Sequence, residues 1–207
     1  MKKHFWKLEY SITIFIILGI CLLIVPFKFE NYFQADMTSS WAEKYEQLSY
    51  TFSVINAQKS QDLLNNFKSL EDSDEKEKFL SQLIKPYLRL KSTYNLNKRY
   101  KPKFLDNSSV DKDNYYYFDD LYYSSKGLVG IKNLNAQKLY MMMVDINGII
   151  PPNTWGKDIF GIYVLPNGII EPFGYNKKMN ELSRDCSKSG TGVSCSYYYL
   201  IGGEFND

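Results

Sequence analysis

The chain has 207 residues, 25 basic and 23 acidic, with a net charge of +2 at pH 7. That length suits one ordinary domain plus a further segment, and so balanced a charge gives no field that would gather nucleic acid. A single histidine, His4, stands near the start. Everything after it therefore lacks the base of Ser-His-Asp or Cys-His catalysis and the imidazoles of a catalytic zinc, so no enzyme, cofactor or metal centre is expected.

Residues 1–9 carry Lys2, Lys3 and Lys7 ahead of an apolar run. From Ser11 to Phe27 that run is broken only by Thr13, Gly19, Cys21 and Pro26. With Tyr10 it nears the roughly 17–20 residues a helix needs to cross a bilayer, and 10–29 are expected to be the transmembrane half of a helix. It ends in LLIVPFKFENYF with no small-x-small site, which reads as a retained anchor and not a cleaved signal peptide. The flanking lysines put the N-terminus in the cytoplasm and the remainder in the periplasm or outside the cell, a single pass through the inner (cytoplasmic) membrane. Glu9 stands at the mouth of the run, where a carboxylate costs a few kcal/mol and asks for a functional reason.

Over 30–58, Phe33, Met37, Trp41, Tyr45, Leu48, Phe52 and Ile55 recur at spacings of three and four. This is one apolar stripe on an amphipathic half-helix, continuous with the anchor and bent near Pro26. Residues 59–207 are expected to form an extracytoplasmic α+β domain. Its helical part includes Leu80, Leu83, Ile84, Tyr87 and Leu88 at helical spacing, with Ser73 and Asp74 as N-cap candidates. The basic residues Lys98, Arg99, Lys101 and Lys103, interleaved with Tyr100 and Phe104, read as a solvated loop.

Past Tyr94 the character changes to strands: NYYYFDDLYY, KLYMMMVDI, IFGIYVL, GIIEPFG and a last strand in CSYYYLIGG. The methionine triplet reads as core. Asp119 and Asp120, as strand neighbours, point to opposite faces and make a poor catalytic pair. Asp145, Asn147 and Asp158 offer oxygens of the kind calcium takes, but Asn147–Gly148 is the strongest short hairpin signal, and a turn is the expected use. Cys186 and Cys195 bracket a Gly/Ser-rich loop and, outside the cytoplasm, are expected to pair.

Counted from Phe5, Glu9 is the fifth residue and Pro26 the twenty-second, with the apolar run between them and lysines before. This resembles the N-terminus of the type IV pilin and type II secretion pseudopilin family. VDINGIIPPNTWGKDIFGIYVLPNGIIEPFG, CSKSGTGVSC and LIKPYLRLK resemble, in the same order, segments of a pilin-like subgroup. The resemblance implies a long N-terminal helix packed on a domain of helices and a small antiparallel sheet. It implies cleavage by a prepilin peptidase between His4 and Phe5, N-methylation of Phe5, and Glu9 meeting the free amine of a neighbouring subunit during assembly. The partners implied are other pilin-like subunits through the N-terminal helix, and membrane lipid. His4 stands where the family has glycine, and Trp6 and Lys7 where threonine and leucine are usual. Those departures keep an alternative open: a membrane-tethered periplasmic binding module that retains the anchor without polymerising.

Overall fold

The computed structural model describes the chain apart from residues 1, 59–62, 94–95, 97–98, 126, 136 and 206–207. Within the first helix it describes side chains for 10–20 and 36–57. Helix α1 is assigned to Lys2–Gln58, and the chain divides into two units, Met1–Met37 and Thr38–Asp207.

In the first unit, the described side chains of 10–20 are exposed, Ile12, Ile14, Phe15 and Ile17 among them. Among the described residues no helix is long and apolar enough to cross a membrane. The expected span, 10–29, reaches into 21–29, whose side chains lie outside the described residues, as do those of His4, Phe5, Glu9 and Phe33.

The second unit is α+β. Helices α2 (Leu63–Ser69) and α3 (Ser73–Leu88) precede strands β1 (Lys91–Ser92), β2 (Asp120–Tyr123), β3 (Leu128–Asn135), β4 (Lys138–Asp145), β5 (Ile159–Val164) and β6 (Ile170–Pro172). Helices α4 (Met179–Asp185) and α5 (Cys195–Leu200) close the chain. The six strands form one antiparallel sheet in the order β1-β2-β3-β4-β5-β6, each hydrogen-bonded to its sequence neighbours. Strand β4 lies in the middle and is buried along almost its whole length. A strand covered on both faces must be apolar on both, which is why KLYMMMVD runs without alternation.

One face of the sheet takes the helices. Trp41 of α1 stacks on Phe160 of β5 with ring centroids 4.8 Å apart, and its Nε1 donates to the Ser196 carbonyl of α5 at 2.8 Å. Further along α1, Tyr45 donates to the Ile170 carbonyl at 3.3 Å and Asn56 to the Asn167 carbonyl at 3.0 Å. Trp41, Leu48, Phe52 and Ile55 are buried, so the apolar stripe faces the sheet. Helix α3 is fixed through Glu77, whose Oε1 accepts from the Asn133 backbone N–H at 3.0 Å. Tyr140 reaches back to the Lys76 carbonyl at 2.9 Å. The N-cap of α3 is Asp72, accepting from the Asp74 N–H at 3.3 Å, one residue before the expected Ser73.

The other face is covered by loops. Tyr100, Phe104, Phe118, Trp155, Phe173 and Val193 close over Leu121, Leu128, Met141, Met143 and Ile159. Gly130 and Gly161 flank Met143 across the sheet. A Cβ at Gly161 would stand 2.2 Å from the Phe173 ring, and one at Gly130 2.9 Å from Phe118. Both glycines exist to let aromatic rings lie against the sheet.

One expectation is corrected here. CSYYYLIGG forms no last strand: Cys195–Leu200 is helical. Cys195, Ser196, Tyr198 and Tyr199 are buried, a one-three-four spacing that fits a helix and not a pleat. Asn147–Gly148 does lie in a bend and turn, with Gly148 at φ 78°, though as the start of a long loop, 146–157, whose ends meet where Asp145 pairs with Ile159. Strand β3 was not anticipated. Its polar half, Lys132, Asn133 and Asn135, obscures the apolar Leu128–Ile131.

Replacing Trp41 by alanine removes a fully buried indole and takes from the Ser196 carbonyl its Nε1 donor. The expected cost is about 3–5 kcal/mol of domain stability, read as a fall in the denaturant midpoint with an unchanged slope.

Candidate functional site: a buried carboxylate pair

Asp145 ends β4 and Asp158 precedes β5, and the pairing of Asp145 with Ile159 brings the two ends of the 146–157 loop together. The Ile146 N–H donates to the Asp158 carbonyl at 2.9 Å. Both aspartates are fully buried, at 0% exposure. Buried carboxylates are tolerated only when their lone pairs are supplied with donors, and the loop supplies them. Asp145 Oδ1 accepts from the Gly148 N–H at 2.8 Å, and Oδ2 from the Tyr100 hydroxyl at 2.6 Å. Asp158 Oδ1 accepts from the Thr154 N–H at 2.6 Å, and Oδ2 from the Asn153 N–H at 2.8 Å. With its amide nitrogen turned toward acceptors, Asn153 also donates to Asp145 Oδ2 at 3.2 Å and to the Gly148 carbonyl at 3.0 Å. Asn153 thus touches both carboxylates, and it does so from a left-handed backbone (φ 47°) that asparagine tolerates better than most residues.

The segment before β2 is stitched to the same loop. The Lys103 N–H donates to the Asn153 carbonyl, and the Trp155 N–H to the Lys103 carbonyl, each at 2.9 Å. Arg99, Lys101 and Lys103 are exposed while Tyr100 and Phe104 are buried, so the basic stretch turns cations outward and rings inward. Lys98 lies outside the described residues.

Burial, reinforced by the charge of Asp158, pushes the Asp145 carboxyl up to about 8 against the opposing pull of its donors. Burial likewise raises Asp158 to about 6, opposed by the Thr154 and Asn153 N–H groups. Tyr100 is driven well above an ordinary phenol by burial and by the carboxylates it faces. The arrangement can hold a proton at neutral pH. It is not built as a cation shell, because each carboxylate oxygen already receives an N–H or O–H donor. Among the described residues no group of three His, Cys, Asp or Glu side chains is placed to hold a metal ion. Sequence reasoning noted Asp145, Asn147 and Asp158 but missed Tyr100 and Asn153; the Tyr in a basic stretch and the Pro-Asn dipeptide were the signals available.

The cysteines lie beside this hub. Cys186 caps the C-terminus of α4 and bonds to Cys195, the first residue of α5, with Cα atoms 5.4 Å apart, within the span disulfides take. Asp185 ties the intervening loop by accepting from the Thr191 N–H at 3.0 Å and the Ser194 N–H at 2.8 Å. Gly156 faces this loop, where a Cβ would meet Cys195 Sγ at 2.8 Å and Gly192 Cα at 2.9 Å.

Asp119 and Asp120 do share a surface. Both border one cleft with Asp74, Glu77, Lys132 and Asn133, because β2 begins only at Asp120 and strand alternation does not reach Asp119. Burial raises the Glu77 carboxyl, with Asp120 adding to the rise and the Asn133 donors opposing it.

Fold and hub together define an α+β domain on an antiparallel meander, closed by a hydrogen-bonded acid pair and a disulfide loop. Comparison with protein-family models, curated proteins and solved structures returned no match.

Asp145 and Asp158 titrate higher in the folded chain than the value near 4 of an unfolded aspartate. Their stabilising share is complete below about pH 4 and is lost as pH rises through about 6 and about 8. Unfolding free energy should therefore fall between about pH 4 and about 8, by up to about 1.4 kcal/mol per pH unit for each proton that the folded chain holds and the unfolded chain has lost, and level off above. Denaturant titrations of wild type and Asp145→Asn check this, and the variant should show a visibly flatter profile.

Proposed function

We propose that this chain is a pilin-like or pseudopilin-like structural subunit of a type IV pilus or type II secretion filament. In this reading α1 is the long filament helix, its first half in the inner membrane with the N-terminus cytoplasmic. Its second half packs on the α+β domain outside. The function is architectural and not catalytic. The observation that carries the reading is the exposed apolar surface of Tyr10–Ile20, set before a half-helix whose apolar stripe is used internally. Isolated exposed apolar side chains are ordinary, but a continuous run of this size asks for lipid or for like helices as its cover. The lysines before it and Glu9 at its mouth agree with a membrane-bundled helix, where an incoming α-amine would neutralise the carboxylate. The disulfide agrees with an oxidising compartment.

A second reading, the tethered module that does not polymerise, is favoured by one feature, His4 in place of the family's glycine. Cysteine cross-linking between α1 segments of neighbouring copies in membranes separates the two. A filament subunit gives a ladder of cross-linked species, and Glu9→Ala reduces it about tenfold or more while the domain's unfolding midpoint stays put. A tethered module gives no ladder in wild type, and Glu9→Ala changes nothing.

A further inference from the structure

We propose that a proton held within the Asp145–Asp158 pair latches residues 146–152 of the loop, and that its loss to solvent frees this stretch with the apolar corner it carries. That corner is Ile149 and Ile150, 51% and 63% exposed.

The geometry supports this from three sides. First, the first half of the loop is tied to these two carboxylates: the Gly148 N–H donates to Asp145, and the Asn153 and Thr154 N–H groups, where that half ends, donate to Asp158. Asn153 reaches both. Remove the pair's ability to stay buried and residues 146–152 lose these ties, while 153–157 keep theirs to Lys103 and Ile159 and the β4–β5 ladder keeps its own.

Second, the hydrogen-bond donors described at the pair are backbone N–H groups, the Tyr100 hydroxyl and the Asn153 amide, all of them uncharged. The titratable groups that face Asp145 are Asp158, across the neck of the loop, and Tyr100, from the segment before β2. Lys101 and Lys103, in the segment that carries Tyr100, are exposed. Two carboxylates that both ionise at zero exposure repel one another where water cannot screen them. One proton between them removes that repulsion. When it leaves, opening the neck to water is the available relief.

Third, the neck is made of residues that bend without breaking the sheet. Gly148 is at φ +78° and Asn153 at φ +47°, while Asp145–Ile159 pairing is already regular ladder. Burial of both carboxyls also raises their proton affinity toward the neutral range, so the latch would work at physiological pH. This inference stands on the hub alone and does not depend on the filament reading.

Hydrogen exchange of the full chain in detergent, followed by mass spectrometry from pH 5.5 to 9 and corrected for intrinsic rates, tests it. Protection of peptides within 146–152 should fall about tenfold or more across that range, with peptides of 153–157, β4 and β5 unchanged. In Asp145→Asn the loop's protection should not vary with pH. Tyr100→Phe removes one donor that favours the ionised carboxylate, so its transition should move to higher pH. Loop protection that ignores pH in wild type, or falls only together with β4 and β5, overturns the proposal. So does an Asp145→Asn profile matching wild type. Should Asp145→Asn fail to fold, Tyr100→Phe decides: a midpoint that stays put or moves down overturns the latch.

Discussion

Placing two carboxylates out of water at the root of one loop imposes a condition that much of the domain's second face meets. The donors have to come from close by, and they come from the loop's own backbone and from Tyr100. Satisfying Asp158 with the N–H groups of Asn153 and Thr154 fixes the next residue, Trp155, which is fully buried and stacks on Phe173 with centroids 5.9 Å apart. Trp155 in turn pairs its backbone with Lys103, drawing the Tyr100–Phe104 segment over the sheet. The following Gly156 is bare because Cys195 Sγ and Gly192 occupy the space a side chain would need. Acid pair, aromatic layer and disulfide loop are therefore one connected construction.

The two faces of the sheet are closed by different means. The helical face uses periodic side chains, with Trp41, Leu48, Phe52 and Ile55 of α1 buried and single polar ties to β6 and α5. The loop face has no helix to lay down and uses aromatic rings in their place. Large flat side chains bury much surface at low entropic cost, and glycines at 130 and 161 give Phe118 and Phe173 room to approach. This accounts for Tyr100, Phe104, Phe118 and Phe173 as packing.

What was legible in the sequence follows from how local each signal is. The α1 stripe, α3 and the doubly buried β4 announce themselves by period or by unbroken apolar character, and the cysteine pair by its spacing. The helix α5 was not legible, because CSYYYLI has the composition of a strand and becomes helical only under tertiary constraint from the disulfide and from Trp41 on Ser196. The hub was half legible. Asp145, Asn147 and Asp158 drew notice as oxygen-bearing neighbours, but the partners that define their role, Tyr100 and Asn153, depend on a loop path no short-range pattern encodes. Asp119 and Asp120 failed for the opposite reason: a rule for strands was applied one residue before the strand begins.

The filament reading rests on α1, where an exposed apolar stretch leads into a stripe that holds the domain. Its most direct measurement is the intact mass and N-terminal sequence of the membrane-extracted protein, before and after reduction. A processed subunit begins at N-methylated Phe5 and gains two hydrogens on reduction as the Cys186–Cys195 bond opens. A chain that begins at Met1, or that carries free thiols at 186 and 195 before any reductant is added, contradicts the filament reading.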